Sequence, residues 1–183
     1  MAASDEELVA RAISADDHRA YGELVQRHQG QVRGWLRQLT GDAARADDLA
    51  QDTFIRAWEK LHTFTGRGKF AAWLMKLAYN MFLQSHRGAK RDQRLVEAVG
   101  SNQALMMAES GSSLASELPD LPKMLSVLSD DEGYAMVLCY AYGLSHSEAS
   151  EVTGFPLGTI KSHIKRGKSK IRSHFRIEET GHD

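Results

Sequence analysis

The stretch from Gly143 to Arg172, GLSHSEASEVTGFPLGTIKSHIKRGKSKIR, constrains the chain more than any other. Ser145 can cap a first helix, and Glu148 three residues on completes a capping box. Gly154 stands where a helix ends in a left-handed residue, and Pro156 opens the next helix with its φ already set. In that second helix Ile160, Ile164, Gly167 and Ile171 recur at i, i+4, i+7 and i+11, a single buried stripe. The other side carries Thr159, Ser162, Arg166 and Ser169, flanked by Lys161, Lys165 and Lys168, and no acidic residue occurs from Gly158 through Ile177. Aliphatics on one face with hydroxyls and cations on the other predict a helix-turn-helix whose second helix suits a major groove. A solvated basic surface helix is the plainer alternative, and the turn chemistry argues against it.

A net charge of −1 over 183 residues fits poorly with phosphate binding until it is mapped. Residues 1–60 carry eight Lys/Arg against eleven Asp/Glu, and residues 61–94 carry seven against one. Residues 95–158 carry one against nine, and residues 159–183 seven against three. Two cationic blocks therefore alternate with two acidic ones, and each cationic block can approach a polyanion. The acidic N-terminus MAASDEELVA is no secretory signal, and no apolar run reaches membrane-span length. The lone Cys139 cannot form an internal disulfide, which predicts a reducing, cytoplasmic setting.

Helical periodicity runs through the rest. Ser4 with Glu7 offers a capping box for a first short helix. A second starts near Asp16 and Asp17, with Tyr21, Leu24, Val25, His28, Val32, Trp35, Leu36 and Leu39 on one line, and ends at Thr40-Gly41. His28 reads as a satisfied core histidine, since no metal-ligand spacing surrounds it. In Asp42–Leu61 the expected buried stripe is Phe54, Ile55, Trp58 and Leu61, and Asp47, Asp48, Gln51 and Asp52 gather toward the helix start. A glycine-bearing loop, His62–Lys69, lacks P-loop spacing. In Phe70–Arg87 the expected inward residues are Phe70, Trp73, Leu74, Leu77 and Met81. Lys76, Tyr79, Leu83 and Arg87 are expected to project outward, with Asn80 at the edge. An aromatic set among cations, beside a loop holding Phe64, suits stacking of unpaired bases. Ordinary packing of Tyr79 and Phe82 is an equal alternative.

Residues 95–118 read as a Ser/Gly/Ala-rich linker, apart from one helical turn near 104–109 and the apolar Leu105, Met106 and Met107. Pro119 and Pro122 open a second domain, in which Ser129 with Glu132 leads into the apolar helix YAMVLCYAYG. The expected fold is all-α: two small helical domains, 1–94 and 119–177, joined by a flexible linker, with a C-terminal helix-turn-helix and a tail at 178–183. No nucleophile, base or metal constellation assembles from spacing, so neither an enzyme nor a cofactor is expected.

The order DDLAQDTFIRAW, loop, FAAWLMKLAYNMFLQSHR, linker and GTIKSHIKRGKSKIR resembles the bacterial RNA polymerase sigma factors of the extracytoplasmic-function group. The resemblance implies a protein that docks on core RNA polymerase, through its clamp helices and flap, directs it to promoter DNA and helps open the duplex. It implies docking through Asp47, Asp48, Leu49, Gln51, Asp52 and Phe54. It implies minus-ten recognition by Phe64, Lys69, Lys76, Tyr79 and Asn80, with Arg87, Lys90 and Arg91 on phosphates. It implies minus-thirty-five recognition by Gly158, Thr159, Lys161, Ser162, Lys165, Arg166 and Lys168. Proteins of this group are usually restrained by an anti-sigma partner. Gln84 stands where the group usually has Asp, and Ser129 where it usually has Pro. A stand-alone dimeric regulator would need neither the Asp47–Phe54 segment nor the loop beside Asn80. A sigma-like decoy would not need an intact basic helix.

Overall fold

The computed structural model describes residues 3–96 and 121–175, and the side chains of 3–86 and 124–174. The chain divides into two compact units, Met1–Ser110 and Gly111–Asp183, and every regular element among the described residues is helical. The turn expected at 104–109, with Leu105, Met106 and Met107, and the tail 178–183 lie outside the described residues.

In the first unit, Ser4 and Glu7 close both bonds of the capping box that starts α1 (Asp5–Ser14). Asp17 accepts from the Arg19 and Ala20 amides to start α2 (His18–Thr40). This helix runs unbroken through its internal glycines and stops at Gly41, where φ is +65°. Leu24, Val32, Trp35, Leu36 and Leu39 are buried along it, and α1, α3 and α4 pack against it. His28 is only half satisfied: Nε2 lies 2.7 Å from Asp5 Oδ2, whereas the buried Nδ1 has no hydrogen-bond partner.

Asp42 caps α3 (Ala43–Lys60), and a single 3-10 turn, Leu61–Thr63, follows. The buried line of α3 is not the expected one. Ala46, Leu49, Ala50, Thr53 and Ala57 face inward, while Phe54 and Trp58 are half-buried and Ile55 is 61% exposed. Of the expected stripe only Leu61 is buried. Small residues let α3 approach α2 and α4 closely, so the bulky apolar residues are displaced to the edges of the contact. Thr53 fits this seam because its hydroxyl donates to the Leu49 carbonyl at 2.7 Å.

The next helix, α4 (Phe70–Val96), extends beyond Arg87. Its inward face is turned from the expected one. Leu74, Met75, Ala78 and Tyr79 are buried, with Phe70 at the start, whereas Trp73, Leu77 and Met81 are half-buried. Tyr79 therefore points into the unit, its ring stacked 6.2 Å from Trp35.

The second unit comprises α5 (Leu121–Ser126), α6 (Asp130–Met136), a π-helical segment Val137–Ala141, α7 (His146–Thr153) and α8 (Leu157–Phe175). The expected continuous apolar helix YAMVLCYAYG widens at its end, where the Tyr142 amide donates to the Val137 carbonyl at 3.1 Å. That wider turn leaves Tyr140 55% exposed beside buried Leu138. The Ser145–Glu148 capping box opens α7, and Gly154, at φ +76°, closes it. The Pro156 carbonyl accepts from the Thr159 and Ile160 amides at the start of α8. Ile160, Ile164 and Gly167 are buried as the spacing requires, with Ile171 half-buried. A Cβ at Gly167 would meet Met136 Cγ at 3.2 Å, so α8 lies close on α6 at that point.

Candidate functional site

The outer face of α3 is continuous. Asp48, Gln51, Asp52 and Ile55, at i, i+3, i+4 and i+7, are all exposed. Beside them a groove of about 340 Å³ runs between α2 and α3, lined by Val25, Gln29, Arg33, Ala50, Gln51, Phe54 and Ile55. A mostly apolar groove, with Asp48 and Asp52 exposed on the adjoining face of α3, suits a basic, partly apolar partner helix. The sequence set for this face is only partly brought together. Leu49 is buried at 7% exposure. Asp47 turns toward its own chain, 3.6 Å from Arg33 Nε and 3.5 Å from Arg37 Nη2. Phe54 is half-buried, and its carbonyl accepts from the Tyr21 hydroxyl at 2.5 Å. Ile55 was missed because period alone placed it in the core.

The aromatic candidates in the loop and in α4 are packing residues, not exposed stacking platforms. Phe64 is 8% exposed and meets Phe70 edge-on at 5.4 Å and Trp73 at 5.8 Å. Tyr79 is 7% exposed. The flanking Lys69, Lys76 and Asn80 are exposed, the last two one helical turn apart. Gly66 and Gly68 take φ of +71° and +75°, which returns the loop sharply to α4. Arg87, Lys90 and Arg91 lie on α4, and their side chains lie outside the described residues.

In the helix-turn-helix, Gly158, Lys161, Ser162, Lys165, Arg166 and Lys168 are exposed and Thr159 is half-buried. The Ser162 hydroxyl donates to the Gly158 carbonyl at 2.9 Å, leaving its oxygen as an acceptor. Lys168 Nζ stands 4.9 Å from the centre of the Tyr140 ring. Arg166 is engaged elsewhere: Nε donates to Glu132 Oε1 at 3.3 Å, and Nη2 lies 2.9 Å from His163 Nδ1. Lys170 Nζ donates to the other oxygen of the same carboxylate at 2.7 Å. Burial pushes the Glu132 carboxyl up. The Lys170 ammonium, the Ser129 amide and Arg166 outweigh that and hold it at about 2. Glu132 and Tyr140 are absent from the sequence-based site. Glu132 was visible there only as a capping residue, since its partners lie 34 and 38 positions away.

Comparison with known proteins gives this arrangement a family. The Sigma-70 region 2 family model matches residues 24–92, which hold the α3 face and most of α4. The Sigma-70, region 4 model matches residues 119–171, which hold the helix-turn-helix. The ECF RNA polymerase sigma factor EcfG of Rhodopseudomonas palustris (strain TIE-1) is 32% identical over 140 residues, 76% of each chain. This chain belongs to the extracytoplasmic-function sigma factors of the sigma-70 family. Two solved structures of sigma factors resemble it. One is the sigma factor RpoE in complex with the anti-sigma factor NepR from Bartonella quintana. It is 28% identical with a TM-score of 0.68, covering 87% of this chain and 98% of that one. The other is CnrH in complex with the cytosolic domain of CnrY, 25% identical with a TM-score of 0.65, covering 96% and 99%. Among the described residues of this sigma factor no helix is long and apolar enough to cross a membrane, and no His/Cys/Asp/Glu group has metal-binding geometry.

Proposed function

We propose that the chain is an alternative sigma factor, which binds core RNA polymerase, directs it to specific promoters and helps open the DNA. The observation that carries this is the presence, in one chain, of a region 2 unit with an outward Asp48–Gln51–Asp52–Ile55 face and a region 4 unit with a basic recognition helix. In this reading the α3 face and its groove receive the polymerase clamp helices, while the second unit also meets the flap. Lys69, Lys76 and Asn80 face the minus-ten element, supported from beneath by Phe64 and Tyr79, with Arg87, Lys90 and Arg91 on backbone phosphates. Extruding a base costs a few kcal/mol, which polar contacts at the loop would offset. The helix-turn-helix takes the minus-thirty-five element. The chain carries out no chemistry of its own and acts in the cytoplasm, where polymerase works. An anti-sigma protein restrains it, a reading supported by the two similar structures, each solved as a complex.

Gel filtration of the full chain with core RNA polymerase, followed by transcription from a genomic DNA library, tests this. Co-elution with new initiation sites is the expected result and yields the promoter. A dimer that binds duplex DNA and ignores polymerase would replace this reading with a stand-alone regulator. Co-elution without initiation would make the chain a decoy.

A further inference from the structure

The recognition helix α8 carries six Lys/Arg and two His along its length but no carboxylate, so none of its cations can find a counter-ion one turn away on the same helix. Counter-ions must come from phosphate or from another helix. Another helix supplies one. The Glu132 side chain, only 4% exposed, sits in the first turn of α6 and receives Arg166 at 3.3 Å and Lys170 at 2.7 Å. Arg166 and Lys170 are one turn apart on the flank of α8 nearest α6. Between them Gly167 lets the two helices close, with Met136 against the glycine. The carboxylate is itself fixed, because Glu132 Oε2 accepts from the Ser129 amide at 3.1 Å. Among the described residues Lys161 and Lys165 take part in no ion pair, and with Ser162 they stand away from the Ile160–Ile164–Gly167 stripe.

We propose that Glu132 sets what the helix-turn-helix reads, by drawing Arg166 and Lys170 against α6 and leaving Lys161, Ser162 and Lys165 as the DNA-contacting set. Glu132 is thus a positioning residue that touches no DNA. Its removal frees two cations beside the reading face, adding phosphate contacts that carry no sequence information. Arg166, despite lying on the recognition helix, is a strut and not a base reader. The inference rests on the second unit being the promoter reader.

The test uses the full chain in holoenzyme with core RNA polymerase, selected against a pool of random-sequence duplex DNA. Binding to the selected duplex is then measured across a salt series for the wild type and for Glu132→Gln, Arg166→Ala and Lys165→Ala. Each phosphate contact contributes a slope of about 0.9 in log K against log salt. The proposal expects Arg166→Ala to keep the wild-type base preferences and slope. Lys165→Ala should lose either one base preference or about 0.9 of slope. Glu132→Gln should steepen the slope by about 1–2 and tighten binding to scrambled duplex several-fold. A purely structural role for Glu132 would change affinity without steepening the slope, and that result overturns the proposal. Loss of a base preference or of about 0.9 in slope in Arg166→Ala also overturns it, even if Glu132→Gln does not fold. Selection of no sequence by the wild type overturns instead the promoter reading on which the inference rests.

Discussion

Asp5 of α1 and His28 of α2 meet at 2.7 Å, Oδ2 to Nε2, while the second oxygen of Asp5 accepts from Arg27 at 3.1 Å. This contact joins α1, which precedes the region 2 match at residues 24–92, to the helix that begins it. His28 is buried against the edge of Phe70 and its Nδ1 already lacks a partner. Asp5→Ala would leave both ring nitrogens unpaired in a dry site, a loss of about 1–3 kcal/mol. Asp5→Asn keeps an acceptor for Nε2 and should lose less. Denaturant midpoints of the first unit's transition rank the three proteins, and equal stability for all would show that α1 is not held by this contact.

The Glu132 carboxyl gives the second unit an acid-sensitive junction. Its pKa is about 2 folded against an ordinary value of 4.5, so the unfolded chain binds the proton more tightly. The carboxylate's contribution is therefore complete above pH 4.5 and is lost as pH falls toward 2. With half-exposed cations screened by water, that contribution is about 1–2 kcal/mol. Stability of the second unit should fall across this window in the wild type and fall less in Glu132→Gln, so that the two curves converge near pH 2. Parallel curves would show that the pairing contributes no stability.

Two glycines on helices should respond in opposite directions. Gly30 is exposed within α2, and a Cβ there would meet nothing within 4 Å. Gly30→Ala should raise stability by about 0.5–1 kcal/mol. At Gly167 the Cβ alone would press on Met136 at 3.2 Å, and the further carbons of valine would have to separate α8 from α6. Gly167→Val should cost about 1–3 kcal/mol and weaken promoter recognition with it. Thermal melts measure both. Equal behaviour at the two sites would mean that the α6–α8 contact is looser than the structure shows.

Punctuation was the most legible part of the sequence. Three Ser–Glu capping boxes and the stops at Gly41 and Gly154 can be read locally, because each is decided by side-chain chemistry within three residues. Helix rotation was less legible. In α3 the periodic bulky residues suggested Phe54, Ile55 and Trp58 as the core, yet alanines and Thr53 occupy the seam, because a close helix–helix approach selects small side chains there. Phe64 and Tyr79 misled for a related reason. An aromatic near cations can pack inward or stack outward, and only tertiary neighbours such as Phe70 and Trp35 decide between the two. Phe64→Ala and Tyr79→Ala should accordingly destabilise the first unit by about 3–5 kcal/mol, a loss that melting detects without any DNA. The pairing of Glu132 with Arg166 was not legible at all, since no local rule links residues 34 positions apart.

The division of labour on α3 gives the most direct test of polymerase docking. Asp48 and Asp52 are exposed and Ile55 lies one turn further along the same face, 61% exposed, whereas Asp47 is turned toward Arg33 and Arg37. Replacing Asp48 and Asp52 by Lys reverses the charge that would meet a basic partner. Ile55→Asp removes the apolar side chain at the groove without touching the core. Both variants should fold with stability changed by no more than about 0.5 kcal/mol. Both should lose core polymerase by at least tenfold in pull-down affinity, about 1.4 kcal/mol, while duplex binding by the full-length variants, through the unchanged second unit, stays as in the wild type. Asp47→Ala breaks two long, half-exposed ion pairs, worth at most about 1 kcal/mol, and should leave polymerase binding nearly intact. If Asp47→Ala lost polymerase as completely as Asp48→Lys with Asp52→Lys, the docking face would extend across the α2–α3 seam. If Ile55→Asp bound normally, the partner would touch the carboxylates alone and not enter the groove.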